Sequence, residues 1–135
     1  MVRHQHNNTA WWCLPGGGVE RGETPAEAAL RELREECCVG GTIVREVNYA
    51  RNTADDDAYT FLIDIGDQTP QIGTDPEFQG ADQVLVGLAW LRLDEIPERD
   101  RAFLWGAGLL GIPAFLAQVS GWGDSLSCPG SGEGK

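Results

Sequence analysis

The chain reads as an α/β fold, and three observations carry that reading. A strongly signalled helix begins at Thr24. Extended segments with alternating apolar residues precede and follow it. A further helical stretch after the last of these segments runs to about residue 119. Strands separated by one central helix and closed by another pack as an α/β sandwich with a mixed, largely antiparallel sheet. With 135 residues and 41% apolar content, the chain suits one domain able to bury a core. That domain is expected over residues 1–120, with a poorly ordered Gly- and Ser-rich tail over 121–135.

Taken in order, residues 2–6 and 10–14 read as two short strands around the turn His6-Asn7-Asn8. His4 and His6 share one strand face and are expected to be surface histidines, contact with a substrate being the other reading. Trp11 and Trp12 point to opposite faces, one to the core and one toward a cleft. Thr24, Pro25 and Glu27 open the helix: an N-cap, a residue suited to the first helical position, and the partner that completes a capping box. Ala26, Ala29, Leu30, Leu33 and Cys37 recur at helical spacing and form its expected inward face.

Residues 42–51 and 58–65 read as strands joined by the polar turn 52–57. The run Asp55-Asp56-Asp57 lacks the alternating ligand spacing of a calcium loop and is expected to be a solvated hairpin tip. Residues 66–83 form a connection long enough to suggest a functional role. Residues 84–93 make the last strand, with Trp90 against the sheet. The closing helix, 99–119, is expected to bury Phe103, Leu104, Leu109, Leu110, Phe115 and Leu116, and Pro113 to kink or split it.

The stretch that organises the chain is 16–39, GGGVERGETPAEAALRELREECCV. Glu32, Glu35 and Glu36 are related as i, i+3 and i+4 and so share a helix face apart from the apolar one. Carboxylates that close repel unless fully solvated or neutralised by a cation, and hard divalent ions such as Mg²⁺ prefer oxygen ligands of this kind. A solvated acidic face is the competing reading. Against it stands Gly16-Gly17-Gly18 at a set distance, a turn whose backbone can approach a ligand closely.

The net charge of −11 and pI near 4.4 offer no basic surface for nucleic acid. No run is apolar and long enough to span a membrane and no signal peptide is evident, so a cytoplasmic setting is the default. The four cysteines lack metal spacing: Cys37 and Cys38 are adjacent, with Cys13 and Cys128 distant. Free thiols or core residues are expected.

The same stretch resembles the signature of the Nudix hydrolases, G-x5-E-x7-R-E-U-x-E-E-x-G-U with U a bulky apolar residue. Gly17 opens it, Glu23 follows, then Arg31-Glu32-Leu33, Arg34, Glu35-Glu36, Cys37, Cys38 and Val39; Trp12-Cys13-Leu14-Pro15 is also typical. Cys38 stands where the family has the glycine that ends the helix left-handed, a conformation unfavourable for cysteine. Gly40 is expected to take over as the stop. The strand that precedes Val2-Arg3-His4 in the family is absent here, and an exposed edge favouring association, including a homodimer, is expected.

The resemblance implies the Nudix fold over residues 2–119 and metal-dependent hydrolysis of the pyrophosphate linkage in a nucleoside diphosphate derivative, with Mg²⁺ or Mn²⁺ as cofactor. It implies Glu35 and Glu36 as principal metal ligands and Glu32 as a ligand or the general base. The Gly16 carbonyl is a further ligand, and Glu77, with Asp82 second, is the loop carboxylate completing the set. Arg31 orients a carboxylate in the catalytic group, Glu23 braces the loop–helix junction, and Gly17, Gly18 and Arg3 face the substrate. Trp11, Tyr49, Tyr59 and Phe78 are candidates to stack on a base. Nucleoside triphosphates, nucleotide sugars, dinucleoside polyphosphates and dinucleotide cofactors all remain open as substrates. A catalytically weak or inactive nucleotide-binding module is the alternative.

Overall fold

The computed structural model describes residues 1–76 and 83–122, and they fold as two compact units. Of the described residues, the first takes those within Met1–Glu46 and Phe61–Trp90, and the second those of Val47–Thr60 and from Leu91 onward.

In the first unit, β1 (Val2–His6), β2 (Thr9–Cys13) and β5 (Gln83–Leu88) form a sheet in the order β2-β1-β5, with β1 antiparallel to both neighbours. The β1–β2 turn is made by Asn7 and Asn8 at φ 44 and 65. Two consecutive left-handed residues match the twist of the flanking strands, and asparagine tolerates that conformation. The turn sets the register: Val2 faces Cys13, Arg3 faces Trp12, and His4 faces Trp11. β1 irregularly shifts its register against β5 between Arg3 and His4. The Met1 amino group donates to the Ala89 carbonyl at 2.7 Å, and the Ala89 N–H to the Met1 carbonyl at 3.0 Å. Trp90 falls beyond this last pairing and is 78% exposed, which corrects the expectation that it packs against the sheet.

Helix α1 (Pro25–Cys37) starts as its sequence predicts. The Glu27 N–H donates to Thr24 Oγ1 at 3.3 Å, and the Thr24 N–H donates to the Glu27 carboxylate at 2.7 Å. Its end differs from the expectation. Cys38 itself takes the left-handed conformation, φ 55 and ψ 30, and its N–H reaches the Arg34 carbonyl. Gly40 is therefore not the stop. The strain of a side chain in this region is offset by hydrogen bonds from a later segment. Gln71, Gly73 and Thr74 donate their N–H groups to the carbonyls of Cys37, Glu36 and Glu35, each at 2.9 Å. The long connection that begins at Gly66 is thus the cap of α1, supplying donors that the last helical carbonyls lack within the helix. Gly73 is required: a Cβ there would run into the Glu35 carbonyl. Gln68 adds two bonds to the Gly40 backbone, both 3.0 Å.

The faces of α1 are not those expected. Leu33 and Cys37 do join the core, with Val2, Val39, Cys13, Ile65, Leu85 and Leu88, where a buried valine contributes about 1.5 kcal/mol or more. Ala26, Ala29 and Leu30 are only partly covered, whereas Ala28, Glu32 and Glu36 are buried. The covered acidic face meets the glycine turn through Gly16 and Gly17.

β3 (Thr42–Thr53) and β4 (Asp56–Asp64) form a hairpin whose strands run further into the polar turn than the sequence suggests. Asp57 accepts from Tyr49 Oη at 3.0 Å and Arg51 Nε at 3.1 Å, and Asp56 accepts from Asn52. The acidic run is an exposed tip, as expected.

In the second unit, the expected closing helix is split into α2 (Glu98–Gly106) and α3 (Pro113–Ser120), with a 3₁₀ turn at Leu109–Gly111 between them. Pro113 occupies the first turn of α3, where its missing N–H costs nothing. Leu104, Leu109 and Val119 are buried, but Phe103 and Leu116 are 63% and 50% exposed, a correction to the expected core. Asp100, Arg101 and Leu104 turn inward on α2, and Phe103 cannot share that face. No helix among the described residues is long and apolar enough to cross a membrane. Cys13, Cys37 and Cys38 are free thiols; Cys128 lies outside the described residues.

Candidate functional site

The site grows from the contact between the glycine turn and α1. The Gly16 N–H donates to Glu36 Oε2 at 2.9 Å, so it is the amide of Gly16 that meets this carboxylate. Gly17 lies directly on Glu32, where an added Cβ would sit 2.7 Å from the carboxylate carbon. A side chain there must push the Glu32 carboxylate, the far end of its own side chain, out of place. A Gly17→Ala variant is therefore expected to keep its fold while losing about a hundredfold in turnover, the typical effect of displacing a reacting group by about 1 Å. Steady-state kinetics beside a circular dichroism spectrum check this.

Arg31 binds the acidic residues together. Its Nη1 donates to Glu32 Oε1 at 2.6 Å and Glu35 Oε2 at 3.0 Å; its Nη2 donates to Glu23 Oε1 at 2.9 Å and the Gly18 carbonyl at 2.8 Å. Nε closes a fork on Glu23 at 3.3 Å. Only a planar guanidinium serves so many acceptors from one stem. The carboxylates raise the Arg31 pKa further, Glu23 foremost. In return, the hydrogen bonds from Arg31 hold the Glu23 carboxyl below its ordinary value. The Glu20 N–H also bonds Glu23 at 2.6 Å, so Glu23 ties loop to helix.

Glu36 is wholly buried and Glu32 is 2% exposed. Carboxylates this far from water are costly without compensating charge. One guanidinium shared among Glu23, Glu32 and Glu35 leaves the group net negative. An all-oxygen donor set with surplus negative charge fits a hard divalent cation.

Two further residues join from elsewhere. His4 Nε2 lies 3.4 Å from Glu36 Oε1, and His4 Nδ1 lies 4.0 Å from Asp75 Oδ2. The imidazole is 5% exposed and stacked on Trp11, centroids 5.9 Å apart and planes 15° apart. This corrects the expectation of a surface histidine; Trp11 is half-buried against the imidazole. Burial lowers the His4 pKa, against the opposing pull of Asp75. Val2 beside His4 on the same strand face was the signal for its burial. Nothing in the local sequence marked Asp75.

Of the residues expected at the site, the structure brings together Gly16, Gly17, Gly18, Glu23, Arg31, Glu32, Glu35 and Glu36. Arg3 lies on the opposite face of β1, its guanidinium 5.9 Å from the Trp12 ring and its stem against Gly87, outside this group. Tyr49 and Tyr59 pack on each other, 5.1 Å between centroids. Glu77, Phe78 and Asp82 lie outside the described residues.

A family model of the NUDIX domain matches residues 1–108. An RNA pyrophosphohydrolase of Roseobacter denitrificans is 49% identical over 45 residues, which is 33% of this chain and 28% of that protein. RNA pyrophosphohydrolases of Brucella ovis and Brucella suis are each 61% identical over 28 residues, 21% of this chain and 16% of theirs. The chain thus spans less than a third of the length of these curated relatives. No solved structure gives a significant match.

Proposed function

This chain belongs to the Nudix family, and from that premise we propose that it hydrolyses the pyrophosphate linkage of a nucleoside diphosphate derivative. The observation that carries the proposal is the buried pair Glu32 and Glu36, covered by Gly16 and Gly17, with Glu32 held by Arg31. Nudix hydrolases in general use divalent metal ions. Here Glu35 and Glu36 would hold the ion, Mg²⁺ or Mn²⁺, with Glu32 as a third ligand or as the base. A bound cation supplies charge neutralisation to the densely anionic diphosphate.

The chain's own residues do the remainder. Arg31 fixes the Glu32 and Glu35 carboxylates so that neither must reorganise as charge develops. The side-chain-free backbone of residues 16–18 lets the diphosphate lie close to the helix. As a base, Glu32 takes the proton of the attacking water. The water oxygen bonds one phosphorus, the bridging P–O bond breaks, and two phosphorylated products leave. Glu23 keeps the loop on the helix throughout.

The relatives matched are named RNA pyrophosphohydrolases, which adds RNA bearing a terminal pyrophosphate to the substrate panel, although the charge of −11 favours a small nucleotide. The test is a phosphate-release screen over nucleoside triphosphates, nucleotide sugars, dinucleoside polyphosphates, dinucleotide cofactors and such RNA, with Mg²⁺ and with Mn²⁺. Metal-dependent release from one class supports the proposal. Nucleotide binding with no release from any class would assign a binding module instead.

A further inference from the structure

The two carboxylate oxygens of Glu36 meet different neighbours. Oε2 faces the Gly16 amide, whereas Oε1 faces His4. His4, Glu36 and Asp75 each offer one ligand atom, and these atoms all lie within 4.8 Å of one another. Two ligands on one ion at ordinary bond lengths of about 2.1 Å sit about 3–4.2 Å apart. Closing the group around an ion bound at one imidazole nitrogen takes a contraction of about half an ångström and a turn of the carboxylate that faces the other nitrogen, since Glu36 faces Nε2 and Asp75 faces Nδ1.

We propose that His4, Glu36 and Asp75 form a second metal site, selective for a first-row transition ion in the range Mn²⁺ to Zn²⁺ over Mg²⁺, with Glu36 shared between the two sites. The selectivity follows from the donors. An imidazole nitrogen suits transition ions, while Mg²⁺ favours oxygen and keeps much of its water, for which side chains this covered leave little access. The His4 and Asp75 side chains are only 6% and 8% exposed.

The three ligands come from three elements, a strand, a helix and the segment that caps the helix. β1 is held between β2 and β5. α1 is held by the segment that caps it. Asp75 directly follows Thr74, whose N–H is bonded to the Glu35 carbonyl. Trp11 stacks on the imidazole and limits its rotation.

The site does not depend on the chain being a hydrolase, so the test omits nucleotide. Metal-free protein is titrated with Mn²⁺ in millimolar Mg²⁺, which fills the oxygen-only site, and bound Mn²⁺ is followed by electron paramagnetic resonance. One Mg²⁺-resistant Mn²⁺ is expected, its spin-echo spectrum showing coupling to an imidazole nitrogen, and Zn²⁺ should displace it. Asp75→Asn and His4→Gln should each weaken it at least about tenfold, and Glu35→Gln should leave it in place. Absence of Mg²⁺-resistant binding, or of nitrogen coupling, overturns the proposal and leaves an imidazole bridging two carboxylates with no ion. So does an Asp75→Asn variant that titrates as wild type. Should His4→Gln fail to fold by circular dichroism, Asp75→Asn and the nitrogen coupling decide.

Discussion

Glu36→Gln is expected to reduce Mg²⁺-dependent turnover about a thousandfold while the protein stays folded. The figure follows from the several kcal/mol of charge stabilisation a metal supplies, at about 1.4 kcal/mol per tenfold. The amide keeps the shape of the side chain and can still accept the Gly16 N–H, so the glycine turn should hold its place. What it lacks is the negative charge, and Glu36 is the most deeply buried carboxylate of the group. The check is kcat in saturating Mg²⁺ beside a thermal melt. Turnover within about threefold of wild type would remove Glu36 from the metal set.

Arg31→Ala carries the second large effect, and it falls on stability as well as activity. Removing the guanidinium strands Glu32, which is 2% exposed, as an uncompensated buried charge. The expected loss is about 3 kcal/mol, the low end for breaking a buried pair because Arg31 retains some exposure. Urea denaturation at neutral pH reads it directly. The pH dependence has a definite sign. Arg31 depresses the Glu23 pKa below its ordinary 4.5, so this part of the wild-type advantage is present above that value and fades as pH falls through the folded-state pKa. Arg31→Lys should recover part of the stability but little activity, since an ammonium cannot fork to Glu23, Glu32 and Glu35 together. An Arg31→Ala variant as stable as wild type would show that the carboxylates hold without it.

What was legible in the sequence was local. The Thr24-Pro25-Glu27 start, the Asn7-Asn8 turn and the split at Pro113 each depend on residues within a few positions of one another, and each has the predicted form. The α/β class follows from such elements. Glu32 and Glu36 were placed on a helix face of their own by spacing alone, but spacing does not tell a buried acidic face from a solvated one. That depends on the contact with Gly17, which the chain makes only once folded. His4 beside Glu36 and Asp75 is a tertiary event joining a strand, a helix and a connection distant in sequence. The exposure of Trp90, Phe103 and Leu116 was illegible for a similar reason: hydrophobicity names candidates for a core, and where a strand ends or how a helix is phased decides which of them enter it.

Surface connections ordinarily accept insertions and deletions freely. The one between β4 and β5 differs over its first part, because residues 71–74 are laid in register on the closing carbonyls of α1 and only Gly73 fits its place there. Apart from Gly73, the composition of residues 71–74 can drift while their spacing along the helix end cannot. Gaining or losing a residue ahead of Gly73 would slide a side chain into the helix backbone and carry Asp75 away from His4. A stretch without regular secondary structure is held to a count as strict as that of a strand in a ladder.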